Sequence, residues 1–242
     1  MVSSKKPALL FIHGLCGNPH GLIDVANFFP DYEVHIPSIP PFGDSSPLLE
    51  YTTDSYADFI AKYIHENHLE KPVLVGHSMG TIIASAVAEK YPEKINDKII
   101  LLAPISKTPS KLITNLQPLM SILPRKFAGW CSVMYSGKQK RNRKILKHEL
   151  ALTYESWINY TSIEDVVAST KFSATTSTAN FNFEKDALVI SGAKENLIPK
   201  KATEDFAKKV NAKTKYIPHT GHLLNLETPE EVATLIREFL NR

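Results

Sequence analysis

Short apolar runs alternate with longer amphipathic stretches along most of the chain. The runs are rich in branched residues and are bounded by Gly, Pro or polar residues, which is typical of β-strands. They lie at residues 8–12, 33–36, 73–76, 99–103, 187–191 and 214–218. Several are apolar throughout, which indicates strands buried on both faces, as in a parallel sheet.

Segments with helical periodicity separate most of these runs. They lie at residues 54–68, 78–90, 200–210 and 229–240. Alternation of strand and helix predicts an α/β fold, in which helices cover both faces of a doubly wound, mostly parallel sheet.

The alternation is interrupted once, between the fourth and fifth runs. Helix-like pieces within this gap lie around residues 110–123, 141–160 and 163–170, and a Ser/Thr-rich patch at residues 173–180 resembles a linker. We therefore predict a core of residues 1–104 and 181–242, with a helical cap inserted as residues 105–180.

The composition fits one folded domain. A chain of 242 residues with 43% apolar content can bury a substantial core. No apolar run reaches the ~18 residues that cross a bilayer, and the first residues show no signal-peptide cleavage pattern, so we expect a cytoplasmic protein. Cys16 and Cys131 lie outside any zinc-ligand spacing. We expect both to be free thiols, and we expect no metal or other cofactor.

The third run is followed by a candidate nucleophile. Ligands of open parallel sheets bind at the carboxyl ends of the strands. Here GHSMG places Ser78 at the centre of a G-x-S-x-G pattern, and a segment with helical periodicity follows at once. A sharp strand-to-helix turn would lift the Ser78 hydroxyl above the sheet, with a helix N-terminus facing developing negative charge. The simpler alternative is that Ser78 only caps the helix.

The loop after the first run has the sequence HGLCGNPHG. Acyl transfer needs N–H groups aimed at the oxyanion, usually one after the nucleophile and one from a neighbouring loop. Met79 and Leu15 are the candidates. The alternative is an ordinary Gly-rich turn. Cys16 also lies in this loop but lacks the context of a nucleophile.

Two histidines follow the last run. A general base must reach the serine with a pKa near neutrality, and His222, which comes after a Gly and before a predicted helix, suits this role best. We interpret His219, His13 and His77 as strand-end or surface histidines.

Together these motifs resemble the α/β-hydrolase superfamily, in particular the small capped carboxylesterases that include the pimeloyl methyl-ester esterases of biotin synthesis. The resemblance spans nearly the whole chain, whereas the cap carries no motif of a named family. It rests on HG-x-x-G at residues 13–17, GHSMG at 76–80, SGAKENLIP at 191–199 and GHLLNLETPEEV at 221–232.

The resemblance also implies a catalytic acid. The family order is nucleophile, acid, base, and Glu195 stands where Asp is usual, with Gly192 and Pro199 fixing the register. We interpret Glu195 as the carboxylate that orients His222. In the alternative, Ser78 and His222 act as a dyad and Glu195 is a charge at a helix edge.

A serine nucleophile predicts ester hydrolysis through an acyl-enzyme intermediate. Relatives that form an alkyl-enzyme ester, such as haloalkane dehalogenases and epoxide hydrolases, need an Asp there instead. Two alternatives stay open: a ligand-binding protein of the same fold, and a cofactor-free perhydrolase using the same residues.

Positive charge is concentrated in the middle of the chain. The segment from Lys98 to His148 has eleven Lys and Arg and no Asp or Glu, although the whole chain carries only +3. This stretch could be a solvated face, a docking surface for an acidic acyl carrier protein or anionic substrate, or a nucleic-acid or membrane contact. Sparse aromatic residues weaken the nucleic-acid interpretation. We expect a small-molecule ester substrate and no nucleic-acid or membrane partner; the candidate docking residues are Lys140, Arg141, Arg143 and Lys144.

Overall fold

A computed structural model describes residues 6–107, Lys147 and residues 162–242. Six strands in these ranges pair in parallel, in the order β2-β1-β3-β4-β5-β6. They are β1 (Ala8–Ile12), β2 (Glu33–His35), β3 (Val73–His77), β4 (Lys98–Leu102), β5 (Asp186–Gly192) and β6 (Lys213–Ile217). Each begins and ends within one residue of an apolar run, so the predicted parallel sheet is confirmed.

Seven helices in the described ranges flank this sheet. They are α1 (His20–Ala26), α2 (Thr53–Glu66), α3 (Met79–Lys90), α4 (Ile163–Thr175), α5 (Lys200–Lys209), α6 (Leu224–Glu227) and α7 (Pro229–Leu240). None of the helices in this part of the chain is long and apolar enough to cross a membrane.

The central strands are almost entirely apolar within their bounds because they are buried on both faces. In β1, Leu10 and Ile12 lie in a cluster with residues of α2, α3 and α5, whereas Leu9 and Phe11 lie in a second cluster with residues of α1 and α7. Successive residues of a strand point to opposite faces, so such a strand shows no polar alternation. The predicted doubly wound arrangement is therefore confirmed.

The predicted cap is described at its two ends and at Lys147. Its C-terminal part contains α4, whose buried Val166 and Phe172 join the cluster of α2 and α3. The N–H of Thr178 donates to the carbonyl of Ile105 at 2.8 Å. The two ends of the insertion therefore meet at one hydrogen bond, which we call the neck. Most of the cap, and all four predicted docking residues, lie outside the described ranges.

The linker interpretation of residues 173–180 is wrong. Ser173 belongs to α4 and is buried. The Ser177 hydroxyl accepts the N–H of Ala179 and begins a 3₁₀ turn at Thr178–Asn180. Ser and Thr favour both linkers and such caps, so composition alone could not separate the two.

Candidate active site

Ser78 lies in a strained turn between β3 and α3. Its backbone has φ 53° and ψ −119°, a conformation that costs a non-glycine residue free energy. The Ser78 N–H donates to the carbonyl of Leu102 at 3.0 Å, which ties the turn to β4. A Cβ at Gly80 would overlap the carbonyl of Ile12, so a glycine is required for this close packing. The turn presents the Ser78 side chain at the carboxyl edge of the sheet.

Three predicted residues meet at this edge. His222 Nε2 lies 2.9 Å from Ser78 Oγ, and His222 Nδ1 lies 2.6 Å from Glu195 Oε2. With the proton on Nδ1, the ring donates to the carboxylate and accepts from the serine hydroxyl, as a general base requires. The His222 and Glu195 side chains are only 7% and 6% exposed. The structure therefore brings Ser78, His222 and Glu195 into one hydrogen-bonded chain.

The second carboxylate oxygen of Glu195 is held by its own loop. Glu195 Oε1 accepts the N–H groups of Leu197 and Ile198 at 2.7 and 3.4 Å. Burial by itself raises the pKa of this carboxyl, but the charge of His222, its ring hydrogen bond and these two N–H groups together hold the pKa below its usual range. Glu195 thus lies buried ahead of α5, not at an exposed helix edge.

The loops that carry Glu195 and His222 interlock. The N–H groups of Ala193 and Lys194 donate to the carbonyls of Ile217 and Thr220 at 2.9 and 2.8 Å. A Cβ at Gly192 would overlap the Thr220 carbonyl. The two backbones are therefore too close for any side chain at this position.

The two predicted oxyanion donors flank Ser78. Met79 is the first residue of α3, where N–H groups have no acceptor within the helix. Leu15 is half-buried and follows Gly14, and a Cβ built on Gly14 would lie 2.9 Å from the Cβ of Ser78. Both residues thus lie close to Ser78, and their role stays a prediction.

His13 holds the loop of Leu15, a role that the sequence did not reveal. Its Nε2 accepts the N–H of Ile39 at 2.9 Å, and its Nδ1 donates to the carbonyl of Gly14 at 2.9 Å. Burial lowers the pKa of His13 to about 4, against a smaller opposite effect of the Gly14 bond, so the ring is neutral at pH 7. His13 directly follows β1, so it is a strand-end histidine as expected, and its burial excludes the surface alternative.

His77 and Glu227 contact the backbone around the candidate base. His77 Nε2 donates to the His222 carbonyl at 3.1 Å, and burial is the main cause that lowers the His77 pKa to about 3. Both Glu227 oxygens lie 3.2 Å from the Gly221 nitrogen. His77 is the last residue of β3 and is buried, so the expected strand-end position is confirmed and the surface alternative is wrong. One indication that these residues matter was present in the sequence: His77 belongs to the GHSMG motif and Glu227 to GHLLNLETPEEV.

Neither a thiol nucleophile nor a metal centre finds support in the described residues. Burial raises the pKa of the Cys16 thiol to about 12, so the reactive thiolate is absent at neutral pH. Cys131 lies outside the described ranges. Within those ranges, no group of three or more His, Cys, Asp or Glu could hold a metal ion.

A parallel sheet with a serine at a strand-to-helix turn, and with the acid and base on later loops, defines the class of α/β hydrolases. The family model of the α/β hydrolase fold matches residues 7–229. The chain therefore belongs to the α/β hydrolase family.

Known proteins resemble this chain over most of its length. A Mycoplasma pneumoniae protein that carries a provisional esterase/lipase name is 24% identical over 98% of this chain and 90% of its own. A thermophilic esterase from Thermogutta terrifontis superposes with a TM-score of 0.81 at 22% identity, covering 98% of this chain and 90% of its own. An esterase from Exiguobacterium antarcticum superposes with a TM-score of 0.85 at 15% identity, over 98% and 93%. At these identities the two structures establish the fold.

Proposed function

We propose that the protein is a serine hydrolase that cleaves carboxylic esters through an acyl-enzyme intermediate. The observation that carries this proposal is the hydrogen-bonded chain from Ser78 through His222 to Glu195. Membership of the α/β hydrolase family and the esterase names of several relatives support ester hydrolysis as the class of reaction.

In the acylation half-reaction, Ser78 Oγ attacks the ester carbonyl carbon while His222 Nε2 takes the hydroxyl proton. The carbonyl oxygen becomes an oxyanion, which the N–H groups of Met79 and Leu15 stabilise. Glu195 stabilises the imidazolium. When the intermediate collapses, the carbon–alkoxide bond breaks, His222 gives its proton to the alkoxide, and an alcohol leaves an ester on Ser78.

Deacylation repeats these steps with water. His222 takes a proton from water as its oxygen attacks the acyl carbonyl, and the same N–H groups hold the second oxyanion. Collapse breaks the bond to Ser78 Oγ, which receives the proton from His222. The carboxylic acid is released and the enzyme returns to its starting state.

The direct test is hydrolysis of p-nitrophenyl esters from acetate to decanoate by wild type, Ser78→Ala and Glu195→Gln. Ser78→Ala should reduce turnover to background. Glu195→Gln should lower kcat on the order of 10⁴-fold, because an amide no longer favours the required His222 tautomer. Ser85→Ala is the matched control: Ser85 lies on the same helix, and its buried hydroxyl has no hydrogen-bond partner among the described residues.

The outcomes separate the alternatives. Turnover that survives Ser78→Ala contradicts the proposal. Full activity in Glu195→Gln indicates a dyad of Ser78 and His222. A wild type that hydrolyses no ester and does not react with a fluorophosphonate probe favours a ligand-binding protein. Added peroxide with a carboxylic acid tests perhydrolase activity. The chain-length optimum gives the size of the acyl pocket.

Docking of an acyl carrier protein remains a proposal from the sequence alone. Its support is the segment from Lys98 to His148, which contains many Lys and Arg but no Asp or Glu. Most of this segment lies outside the described ranges. Neutralising Lys140, Arg141, Arg143 and Lys144 together should raise KM for a carrier-linked ester and leave KM for small esters unchanged. An equal effect on both substrates contradicts this partner.

A further inference from the structure

Two buried side chains hold the backbone on either side of His222. On the N-terminal side, the Glu227 carboxylate accepts the N–H of Gly221, with both oxygens at 3.2 Å from the nitrogen. On the C-terminal side, the His77 ring donates to the His222 carbonyl at 3.1 Å. The candidate base therefore lies between two side-chain contacts to its own main chain.

Both contacts are shielded from water. Glu227 is 3% exposed and His77 is 6% exposed. Burying a carboxylate or an imidazole costs free energy, which hydrogen bonds must offset. A hydrogen bond in such a place is also stronger than one in water, since the surroundings screen it less. These two residues therefore hold the loop more firmly than exposed residues could.

The two contacts come from different elements of the fold, a strand and a short helix. His77 is the last residue of β3 and directly precedes Ser78, so its bond joins the nucleophile's strand to the base's loop across 145 positions of the chain. Glu227 is the last residue of α6, the short helix that follows the loop. The loop is thus held to the strand on one side and to the helix on the other.

We propose that His77 and Glu227 are positioning residues that fix the backbone of the general base, so that the His222 ring faces Ser78. This inference rests on the proposed function. The distance from Nε2 to Oγ is 2.9 Å, and a displacement of about 1 Å in such a site costs on the order of 100-fold in rate. Both residues bond the backbone beside His222, and the His77 ring also packs against the His222 ring with the ring centroids 5.5 Å apart.

The first test compares His77→Gln with His77→Asn. The Gln amide nitrogen reaches about as far as Nε2 of histidine, whereas the Asn amide is one methylene shorter. We expect His77→Asn to lower kcat on the order of 100-fold with KM unchanged, and His77→Gln to recover most of the loss. His65→Gln, at an exposed position on α2, is the control for the same chemical change.

The second test changes Glu227, which holds the other side of the loop. Glu227→Gln keeps an acceptor oxygen at the same length, and Glu227→Met keeps the length without an acceptor. We expect Glu227→Met to lose kcat and Glu227→Gln to retain most of it. Glu230→Gln, exposed in the first turn of α7, is the control. Circular dichroism and thermal unfolding show which variants are folded, and only those are compared. If the variants of one residue, His77 or Glu227, do not fold, the variants of the other residue test the inference.

Two further readouts distinguish positioning from general packing. The rate at which a fluorophosphonate labels Ser78 should fall in parallel with kcat. The downfield proton resonance of the His222–Glu195 bond should broaden or move in His77→Asn and stay in His77→Gln. The inference is overturned if His77→Gln and His77→Asn both fold but both lose the fast labelling of Ser78 and the downfield proton resonance. That result would assign the effect to packing of the His77 ring.

Failure of this inference can be told from failure of the proposed function. If wild type hydrolyses esters and the Asn and Met variants match it in kcat and labelling, the inference alone is wrong. If wild type neither hydrolyses esters nor reacts with the probe, the proposed function is wrong and the inference falls with it.

Discussion

Glu195 binds His222 with one carboxylate oxygen and its own loop with the other. Oε2 lies 2.6 Å from His222 Nδ1, while Oε1 accepts the N–H of Leu197 at 2.7 Å. The backbone of the acid loop thus holds the carboxylate that the ring of His222 contacts. The longer side chain lets Glu195 turn back onto its own loop and still reach His222.

Glu195→Asp should therefore impair the enzyme even though it keeps the charge. The shorter side chain cannot bind Leu197 and His222 together unless the loop moves. We expect kcat to fall on the order of 100-fold with little change in KM, because the His222 ring is displaced. Steady-state kinetics on the preferred p-nitrophenyl ester measures this. Glu238→Asp, exposed on α7, is the control, and wild-type kcat in Glu195→Asp would show that the loop adapts freely.

Gly192→Ala should separate the two interlocked loops. The added methyl overlaps the carbonyl oxygens of Thr220 and Gly221. These are backbone atoms, which cannot easily move aside. We expect a loss of about 1–3 kcal/mol in the free energy of unfolding, together with reduced kcat. Urea unfolding and ester hydrolysis measure the two effects.

The control for this substitution lies in α1. A Cβ at Gly21 meets nothing within 4 Å, and alanine favours a helix by about 1 kcal/mol over glycine. Gly21→Ala should therefore leave stability unchanged or raise it. Equal destabilisation by both substitutions would contradict the close approach at Gly192.

Acid should destabilise the protein through His13 and His77. Burial lowers their pKa values from 6.5 to about 4 and about 3. Below pH 6.5 the unfolded chain binds a proton at each ring that the folded protein does not, so the free energy of unfolding falls as pH falls toward 4. Each histidine contributes about 1.4 kcal/mol per pH unit at most.

Urea unfolding at pH 7, 6 and 5 measures this dependence. His13→Gln should be less stable at pH 7 but should show a smaller slope with pH. His65→Gln, whose ring is exposed, is the matched control and should keep the wild-type slope. An unchanged slope in His13→Gln would show that other groups cause the acid sensitivity.

Tyr56→Phe should weaken the packing of α4 on the body. The Tyr56 hydroxyl donates to the carbonyl of Pro40 at 2.9 Å and lies 3.1 Å from the hydroxyl of Ser169 on α4. The substitution leaves the buried carbonyl of Pro40 without this partner, which costs about 1–3 kcal/mol, whereas the Ser169 hydroxyl keeps its contact with the Met79 sulfur. Thermal and urea unfolding measure the loss. Tyr51→Phe removes a bond to Asp165 at a half-buried position and should cost less; the reverse order would contradict this account.

The sheet and the convergence of the site were predictable from the sequence for a physical reason. Parallel strands buried on both faces are apolar throughout, so their bounds can be read directly. Their carboxyl ends share one edge, which places the loops of Ser78 and His222 at the same end of the sheet, whereas the assignment of Glu195 depends on the family resemblance.

What could not be predicted depends on long-range contacts. Nothing near His77 in the chain reveals that its partner is the carbonyl of His222, 145 residues away. His13 binds the N–H of Ile39, whose position depends on the path of the chain after β2. The same limit explains the mistaken linker at residues 173–180, where Thr178 is buried and its N–H donates to the carbonyl of Ile105, a residue distant in the chain.

The neck between Ile105 and Thr178 has an evolutionary consequence. One backbone hydrogen bond of 2.8 Å joins the two ends of the insertion, and α4 within it packs on the body, so the length of the segment between Ile105 and α4 can change without moving these contacts. Segments whose ends lie close together tolerate replacement well. Variation in this segment therefore leaves Ser78, Glu195 and His222 in place on the loops of the sheet.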